Sequence, residues 1–165
     1  MEPTLAPDEP KWIRLPDFDT LSPVEMGRTE KPSAGTYRAG REWFGLRFSG
    51  FLEVPTDGLY TFYCNSDDGS RLYIGNRLVV DNDAGHPAWE AGAHVRLKAG
   101  LHPFTLTYFN GVRNKALKVS VEGPDLVKQE IPASWFFVRD SKEEEDEAVG
   151  SKPVDACETQ AAHNE

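Results

Sequence analysis

The sequence predicts an all-β fold, an antiparallel β-sandwich or barrel that is followed by a disordered acidic C-terminal tail. Short runs of alternating apolar and polar residues recur along the body of the chain at a spacing of about eight to twelve residues. Gly, Pro, Asp and Asn separate these runs, and no segment of the body keeps a helical period for long. A sequence of many short strands joined by turns is typical of two packed antiparallel sheets.

The apolar runs define the strands in chain order. The first clear strand carries its apolar residues on one face, at Leu46, Phe48, Leu52 and Val54. A Pro-Thr-Asp-Gly turn at 55–58 leads to a second strand, in which Tyr60, Phe62 and Cys64 alternate with polar residues. Gly75-Asn76 predicts a two-residue hairpin. Further strands are expected around 71–74, 77–81, 95–97, 104–108, 117–121 and 135–138, with polar loops at 82–92 and 110–115.

Composition divides the chain of 165 residues into three predicted segments. Residues 1–11 are Pro-rich and polar, which favours a flexible lead. Residues 12–139 form one domain of ordinary size. Residues 140–165 hold nine acidic and two basic side chains, so most of the net charge of −9 belongs to this segment. Because it has little apolar surface to bury, we expect 140–165 to be a disordered acidic tail.

Charge and hydropathy narrow the classes of partner. The body has no basic stripe with interleaved aromatic residues, which argues against a nucleic-acid partner. No apolar run reaches the roughly 18 residues of a membrane span, so membrane insertion is not expected. The N-terminus has no basic and apolar signal-peptide pattern. We expect a monomer or a module of a larger chain.

The most informative short motif is the pair Asp67-Asp68, which follows one predicted strand and precedes another. Two carboxylates on a loop held by strands offer hard oxygen ligands of the kind that Ca²⁺ prefers. The sequence Asp-Asp-Gly is also ordinary turn chemistry, because Asp bonds its own backbone and Gly accepts positive φ. Residue types alone leave both interpretations open.

Nothing in the sequence indicates an enzyme. Asp67 and Asp68 lie on one turn and cannot flank a glycosidic bond as the two carboxylates of a glycosidase do. The chain has no G-x-S-x-G motif, and its His and Cys residues lack the spacing of a zinc site. We therefore expect a domain without catalytic activity.

Several longer motifs together resemble one known family. They are LPDFDTLSPV, FGLRFSGFLEVPTDGLYTFYCNSDDGSRLYIGNRLVVDND, LKAGLHPFTLTYFNG, KVSVEGP and QEIPASW, in that order. Together they cover about Trp12 to Arg139. They resemble the protective-antigen fourteen-kilodalton module, a β-sandwich found in bacterial toxins, glycosidases, adhesins and yeast flocculins. The resemblance implies the fold, but fold alone does not determine function.

The resemblance implies a calcium site. In the lectin branch of the family, two adjacent Asp residues joined by a cis peptide bind Ca²⁺, and the ion coordinates sugar hydroxyls. Asp67 and Asp68 match that pair. The segment TYFNGVRNKALKVSV resembles the second loop of the lectin site, so that Asn110 would supply a side-chain oxygen and Val112 and Asn114 their carbonyls.

The same resemblance implies a glycan or glycoconjugate as partner and an extracellular or cell-surface location. Candidate ligand contacts near the two Asp residues are Arg71, His86, Trp89 and Arg113. Asn114 stands where the lectin branch often has a Trp. Trp89 could instead close one end of the sandwich, and His86 could bond a carbonyl.

An alternative function belongs to another class of protein. The domain would then be a structural or protein-interaction module in which the Asp-Asp loop is only a turn. In that case Arg71, three residues beyond Asp68, could neutralise the two carboxylates without a metal.

Overall fold

The domain is described from a computed structural model, which covers residues 12–23, 25–36, 42–139 and 157–163. The strands are β1 (Glu25–Thr29), β2 (Phe44–Val54), β3 (Gly58–Asp67), β4 (Ser70–Ile74), β5 (Arg77–Asn82), β6 (Trp89–Leu97), β7 (Gly100–Asn110), β8 (Ala116–Gly123), β9 (Leu126–Glu130), β10 (Phe136–Phe137) and β11 (Cys157–His163). Short 3₁₀ helices span Phe18–Thr20, Ala34–Thr36 and Ala133–Trp135. No helix in the described part of the chain has the length and hydropathy that crossing a membrane requires.

The strands form two antiparallel sheets, as the sequence predicts. The larger sheet has the order β1-β11-β2-β7-β4-β5, with β10 also paired to β2. The smaller sheet has the order β6-β3-β8-β9. The two sheets pack face to face as a sandwich, so the predicted fold class is confirmed.

The core lies between the inner faces of the two sheets. The alternating residues Leu46, Phe48 and Leu52 of β2 are fully buried, and so are Phe62 and Cys64 of β3. Each buried side chain of the size of Leu or Phe contributes about 1.5–3 kcal/mol of hydrophobic free energy relative to exposure. The period-two pattern therefore fixes which face of each strand turns inward.

One predicted strand boundary is confirmed by the structure, and another is wrong. The Gly75-Asn76 hairpin joins β4 to β5 as expected, with Gly75 at φ 58°. Strand β6 begins at Trp89, well before the predicted start near Val95. Its first half is rich in Ala and Gly and lacks a strand signal of its own, and it is held by pairing with β3 from Ser66 onward.

Part of the predicted acidic tail also differs. Cys157–His163 form strand β11, paired with β1 on one side and β2 on the other, where disorder is the expectation from composition. Backbone hydrogen bonds to two neighbours can order a segment that has few apolar residues. Residues 1–11, 140–156 and 164–165 lie outside the described residues, and the boundaries of the three predicted segments otherwise stay predictions.

Antiparallel pairing brings several loops to one end of the sandwich. Strands β3, β5 and β7 end there, at Asp67, Asn82 and Asn110. In the register of the sheets, Ser70 lies opposite both Asn82 and Tyr108. The loops at 68–69, 83–88 and 111–115 therefore share one end, which includes both segments of the predicted calcium site.

Cys64 provides a first test of this core. The side chain is a free thiol in the centre of β3 and is fully buried. Burial, the largest effect on this group, raises the pKa of the thiol to about 12. Because the thiolate is the reactive form, Cys64 should resist iodoacetamide at pH 8 in the folded protein and react after unfolding in urea. Peptide mapping by mass spectrometry reads the site, and rapid labelling of Cys64 in the folded domain would contradict this packing.

Candidate functional site

The double-Asp turn connects β3 to β4 at the loop-bearing end of the sandwich. The peptide bond between Asp67 and Asp68 is cis, the geometry that the family resemblance implies. The next residue, Gly69, accepts a hydrogen bond from the Phe109 amide at 3.0 Å. A Cβ at Gly69 would lie 2.7 Å from the Phe109 ring and 2.9 Å from the backbone nitrogen of Ala84. Glycine thus permits the close approach of this turn to the neighbouring backbone.

The Asp68 carboxylate joins the three loops. Its Oδ1 accepts a hydrogen bond from the His86 amide at 3.1 Å, and its Oδ2 accepts one from the Gly111 amide at 2.7 Å. These two donors belong to the 83–88 and 111–115 loops. Each carboxylate oxygen has more than one acceptor site, so both oxygens keep capacity for a further partner.

Asp67 is buried, with 8% of its surface exposed. Burial raises the pKa of its carboxyl group above the usual value, and the nearby Asp68 raises it further, whereas His86 and the Ala88 amide oppose the shift. Among the described residues, no Lys or Arg forms an ion pair with Asp67 or Asp68. The site therefore holds two neighbouring carboxylates without a Lys or Arg partner among the described residues.

Asn110 lies under this turn at the end of β7. The residue is fully buried, and its Nδ2 donates to the Gly111 carbonyl at 3.2 Å. The Tyr108 hydroxyl donates to the Asp67 carbonyl at 2.6 Å and lies 3.5 Å from Asn110 Oδ1. Burial, together with the charges of Asp67 and Asp68, raises the pKa of Tyr108, so this hydroxyl stays protonated as a donor.

The second loop of the candidate site, 111–115, follows Asn110 directly. Gly111 is fixed by a hydrogen bond from the Trp43 amide to its carbonyl at 2.9 Å. Val112, Arg113 and Asn114 are exposed, and Arg113 has a positive φ of 71°. No hydrogen bond within the described part of the chain uses the carbonyl of Val112 or of Asn114. The loop thus leaves both predicted carbonyl ligands without a protein partner.

Arg71 points to the outer face of the larger sheet. Its guanidinium pairs with Asp81 at 3.1 Å and with Asp83 at 3.4 Å. Asp83 in turn accepts the Leu15 amide at 2.7 Å. Arg71 therefore neutralises carboxylates of β5 and the following loop, and it forms no ion pair with Asp68.

His86 and Trp89 occupy different environments. The His86 ring lies 2.8 Å from the Pro87 carbonyl through Nδ1 and 3.0 Å from the Asn82 carbonyl through Nε2, so it braces its own loop. Trp89 is 65% exposed. The suggestion that Trp89 closes the end of the sandwich is therefore wrong, and its ring is open to solvent at the end that carries the two Asp residues. A role in ligand contact stays a prediction for both residues.

Sequence reasoning missed the residues that hold these loops together. Asn82 donates from Nδ2 to the Cys64 carbonyl at 3.2 Å, to Ser66 Oγ at 3.2 Å and to the Trp89 carbonyl at 3.0 Å. Ser66 and Ser70 share a hydrogen bond of 2.8 Å between their hydroxyls. A polar residue at an inward position of a strand is the only sequence signal for this network.

The donor set decides which metal the site suits. In the described part of the chain, no three His, Cys, Asp or Glu side chains cluster together. The candidate ligands are instead two carboxylates, the amide oxygen of the buried Asn110 and the backbone carbonyls of two exposed residues, Val112 and Asn114. This all-oxygen set fits Ca²⁺ and does not fit zinc.

Fold and site together define a β-sandwich with a cluster of three loops at one end. The PA14 domain model matches residues 31–135, which is more than half of the chain. The chain therefore belongs to the PA14 domain family, the family named for the protective-antigen module.

The chain is similar to anti-sigma proteins and to a PA14 domain of an adhesin. The anti-sigma-I factor RsgI3 of Acetivibrio thermocellus is 28% identical over 102 residues, which are 61% of this chain and 16% of that protein. A solved anti-sigma factor domain-containing protein is 26% identical with a TM-score of 0.61, over 67% of this chain and 40% of that one. The PA14 sugar-binding domain of an RTX adhesin is 18% identical with a TM-score of 0.53, over 59% and 56% of the two chains, and supports the fold alone.

Proposed function

We propose that this domain is a non-catalytic module that binds carbohydrate through a Ca²⁺ ion held by Asp67 and Asp68. The observation that carries the proposal is the pair of adjacent carboxylates without a Lys or Arg partner among the described residues. Neighbouring anions disfavour each other's charged form, and a divalent cation is the natural compensation on an all-oxygen site.

The proposed ligand set leaves room for sugar. Two carboxylates, the Asn110 amide oxygen and the carbonyls of Val112 and Asn114 make five positions out of the roughly six to eight that Ca²⁺ takes. A bound Ca²⁺ supplies the remaining positions to water or to sugar hydroxyls. The Gly111 and His86 amides hold the Asp68 carboxylate in place for this role.

The rim of the site offers contacts for the rest of a sugar. Trp89 is exposed, and an exposed indole can pack against the apolar C–H face of a pyranose. Arg113 lies on the exposed second loop and can donate to ring or hydroxyl oxygens. Arg71 is placed on the outer sheet face with its carboxylate partners, so we give it no part in this site.

The test is sugar binding with and without calcium. Isothermal titration with a panel of neutral hexoses should show binding in CaCl₂ that EDTA abolishes. Asp67→Asn should lose this binding, whereas Asp57→Asn, the same chemical change on an exposed turn at the opposite end, should keep it. Sugar binding that survives EDTA, or the absence of binding across the panel in CaCl₂, would reject the proposal.

The second candidate is a protein-interaction module. It is favoured by the identity to anti-sigma proteins, which exceeds the identity to the adhesin domain. This chain spans 16% of the curated relative and 40% of the solved anti-sigma chain. A regulatory role like that of the longer anti-sigma proteins is therefore part of this second proposal and is not shown for this chain. A domain that binds neither calcium nor sugar would favour this function.

A further inference from the structure

A concave surface lies on the outer face of the larger sheet, away from the double-Asp turn. It is a groove of about 540 Å³, within the range of roughly 300–1,000 Å³ that is common for ligand sites. Its floor consists of outward side chains of β2, β7 and β4, and its wall is the N-terminal segment 15–19. The charged and hydroxyl-bearing side chains that line it include Asp19, Arg47, Arg71, Tyr73, Thr105 and Thr107.

The floor places Thr107 in a row with Arg47 and Arg71. Thr107 pairs with Arg47 across β2 and with Arg71 across β4, so the three side chains form a row over adjacent strands. Adjacent strands lie about 4.8 Å apart. The Arg71 guanidinium is held by Asp81 and Asp83, so Arg47 is the guanidinium beside Thr107 that a ligand would contact. Thr107 is only 9% exposed, and its hydroxyl has no hydrogen-bond partner among the described side chains. A buried hydroxyl without a partner indicates a ligand position.

The wall of the groove places the Asp19 carboxylate against Arg47. Arg47 Nη1 donates to Asp19 Oδ1 at 2.6 Å, and the Asp19 side chain is 85% exposed. The short helix that carries Asp19 is anchored by Phe18, whose ring occupies the space that a Cβ at Gly45 would fill, 2.9 Å away. The exposed Asp19 carboxylate thus occupies the position that the carboxylate of a ligand would take.

The groove continues with neutral polar groups. Tyr73 and Thr105 pair across β4 and β7 beside the Arg row, and both line the groove. A phenol ring and a hydroxyl next to a carboxylate-binding guanidinium suit a molecule that has one acid group and several hydroxyls.

We propose that this groove binds an acidic saccharide, whose carboxylate displaces Asp19 from Arg47 and whose hydroxyls contact Thr107 and Thr105. The site needs no metal and shares no residue with the proposed calcium site. Its success or failure is therefore independent of the calcium-dependent function.

The test titrates glucuronate into the domain in EDTA, with glucose and acetate as comparison ligands. We expect glucuronate to bind more tightly than either, because neither comparison ligand has both the acid and the hydroxyls. Asp19→Asn should tighten glucuronate binding about threefold by removing the competing surface carboxylate. Arg47→Gln should weaken it about tenfold by removing a charge-assisted hydrogen bond.

Three further variants test whether glucuronate binds in this groove. Thr107→Val, which conserves shape, should weaken binding, whereas Lys98→Gln removes a positive charge from an exposed side chain elsewhere and should leave it unchanged. Asp67→Asn should also leave it unchanged. Equal affinity for glucose and glucuronate, no glucuronate binding by either wild type or Asp19→Asn, or loss of binding in Asp67→Asn would each overturn the proposal.

Discussion

Replacing Asp67 with Asn is expected to abolish the stabilisation of the domain by calcium. At a hundredfold excess of Ca²⁺ over its dissociation constant, wild type should gain about 2.7 kcal/mol in free energy of unfolding. Asn keeps the shape of the side chain but removes one of the two charges that the ion needs. Thermal unfolding with and without CaCl₂ measures the gain, and Asp57→Asn should retain it in full.

Without calcium, Asp67→Asn is expected to raise the stability of the domain. The pKa of Asp67 is raised in the folded domain by burial and by Asp68, so its contribution to stability is present at acid pH and is lost as pH rises through the folded pKa. At pH 7 in EDTA, Asp67→Asn should therefore be more stable than wild type. A variant that is less stable than wild type in EDTA and still responds to calcium would contradict both expectations.

The second large effect is expected for Tyr108→Phe. This change removes the hydroxyl that donates to the buried Asp67 carbonyl at 2.6 Å and lies beside Asn110. A buried carbonyl left without its donor costs about 1–3 kcal/mol. The Asp67 backbone and the Asn110 side chain would also lose their shared anchor, so the affinity for Ca²⁺ should fall.

Tyr60→Phe is the matched control for this change. Tyr60 is equally buried, and its hydroxyl donates to the Thr56 carbonyl at 2.7 Å at the opposite end of the sandwich. Because Thr56 is exposed, water can replace that donor, and the loss of stability should be smaller. Calorimetric titration of Ca²⁺ separates the two variants. Equal calcium affinity in both would show that Tyr108 does not support the site.

Much of the fold is encoded in local patterns. Leu46, Phe48 and Leu52 alternate with polar neighbours, and burial of this face between two sheets follows directly. Strand β6 shows where local patterns are insufficient, since Trp89 to Ala93 are ordered by pairing with β3 and not by their own strand preference. Strand β11 is a similar case, because its order depends on the backbone of β1 and β2.

Only part of the candidate site could likewise be predicted from the sequence. Asp67, Asp68 and Asn110 could be named from motif and resemblance, and the structure brings them together through Tyr108 and Gly111. These long-range hydrogen bonds leave no mark in a single sequence. The ion pairs of Arg71 likewise depend on the hairpin that brings Asp81 opposite it.

Direct titration of Ca²⁺ into the wild-type domain tests whether Asp67 and Asp68 hold a calcium ion. We predict one ion per chain with a dissociation constant of about 10⁻⁴–10⁻³ M, because two carboxylates and three neutral oxygens make a site of modest charge. The absence of binding heat, together with an unchanged melting temperature at about 10 mM CaCl₂, which is well above that range, would contradict it. Asp67 and Asp68 would then shape a turn, and the interaction module would be the better description.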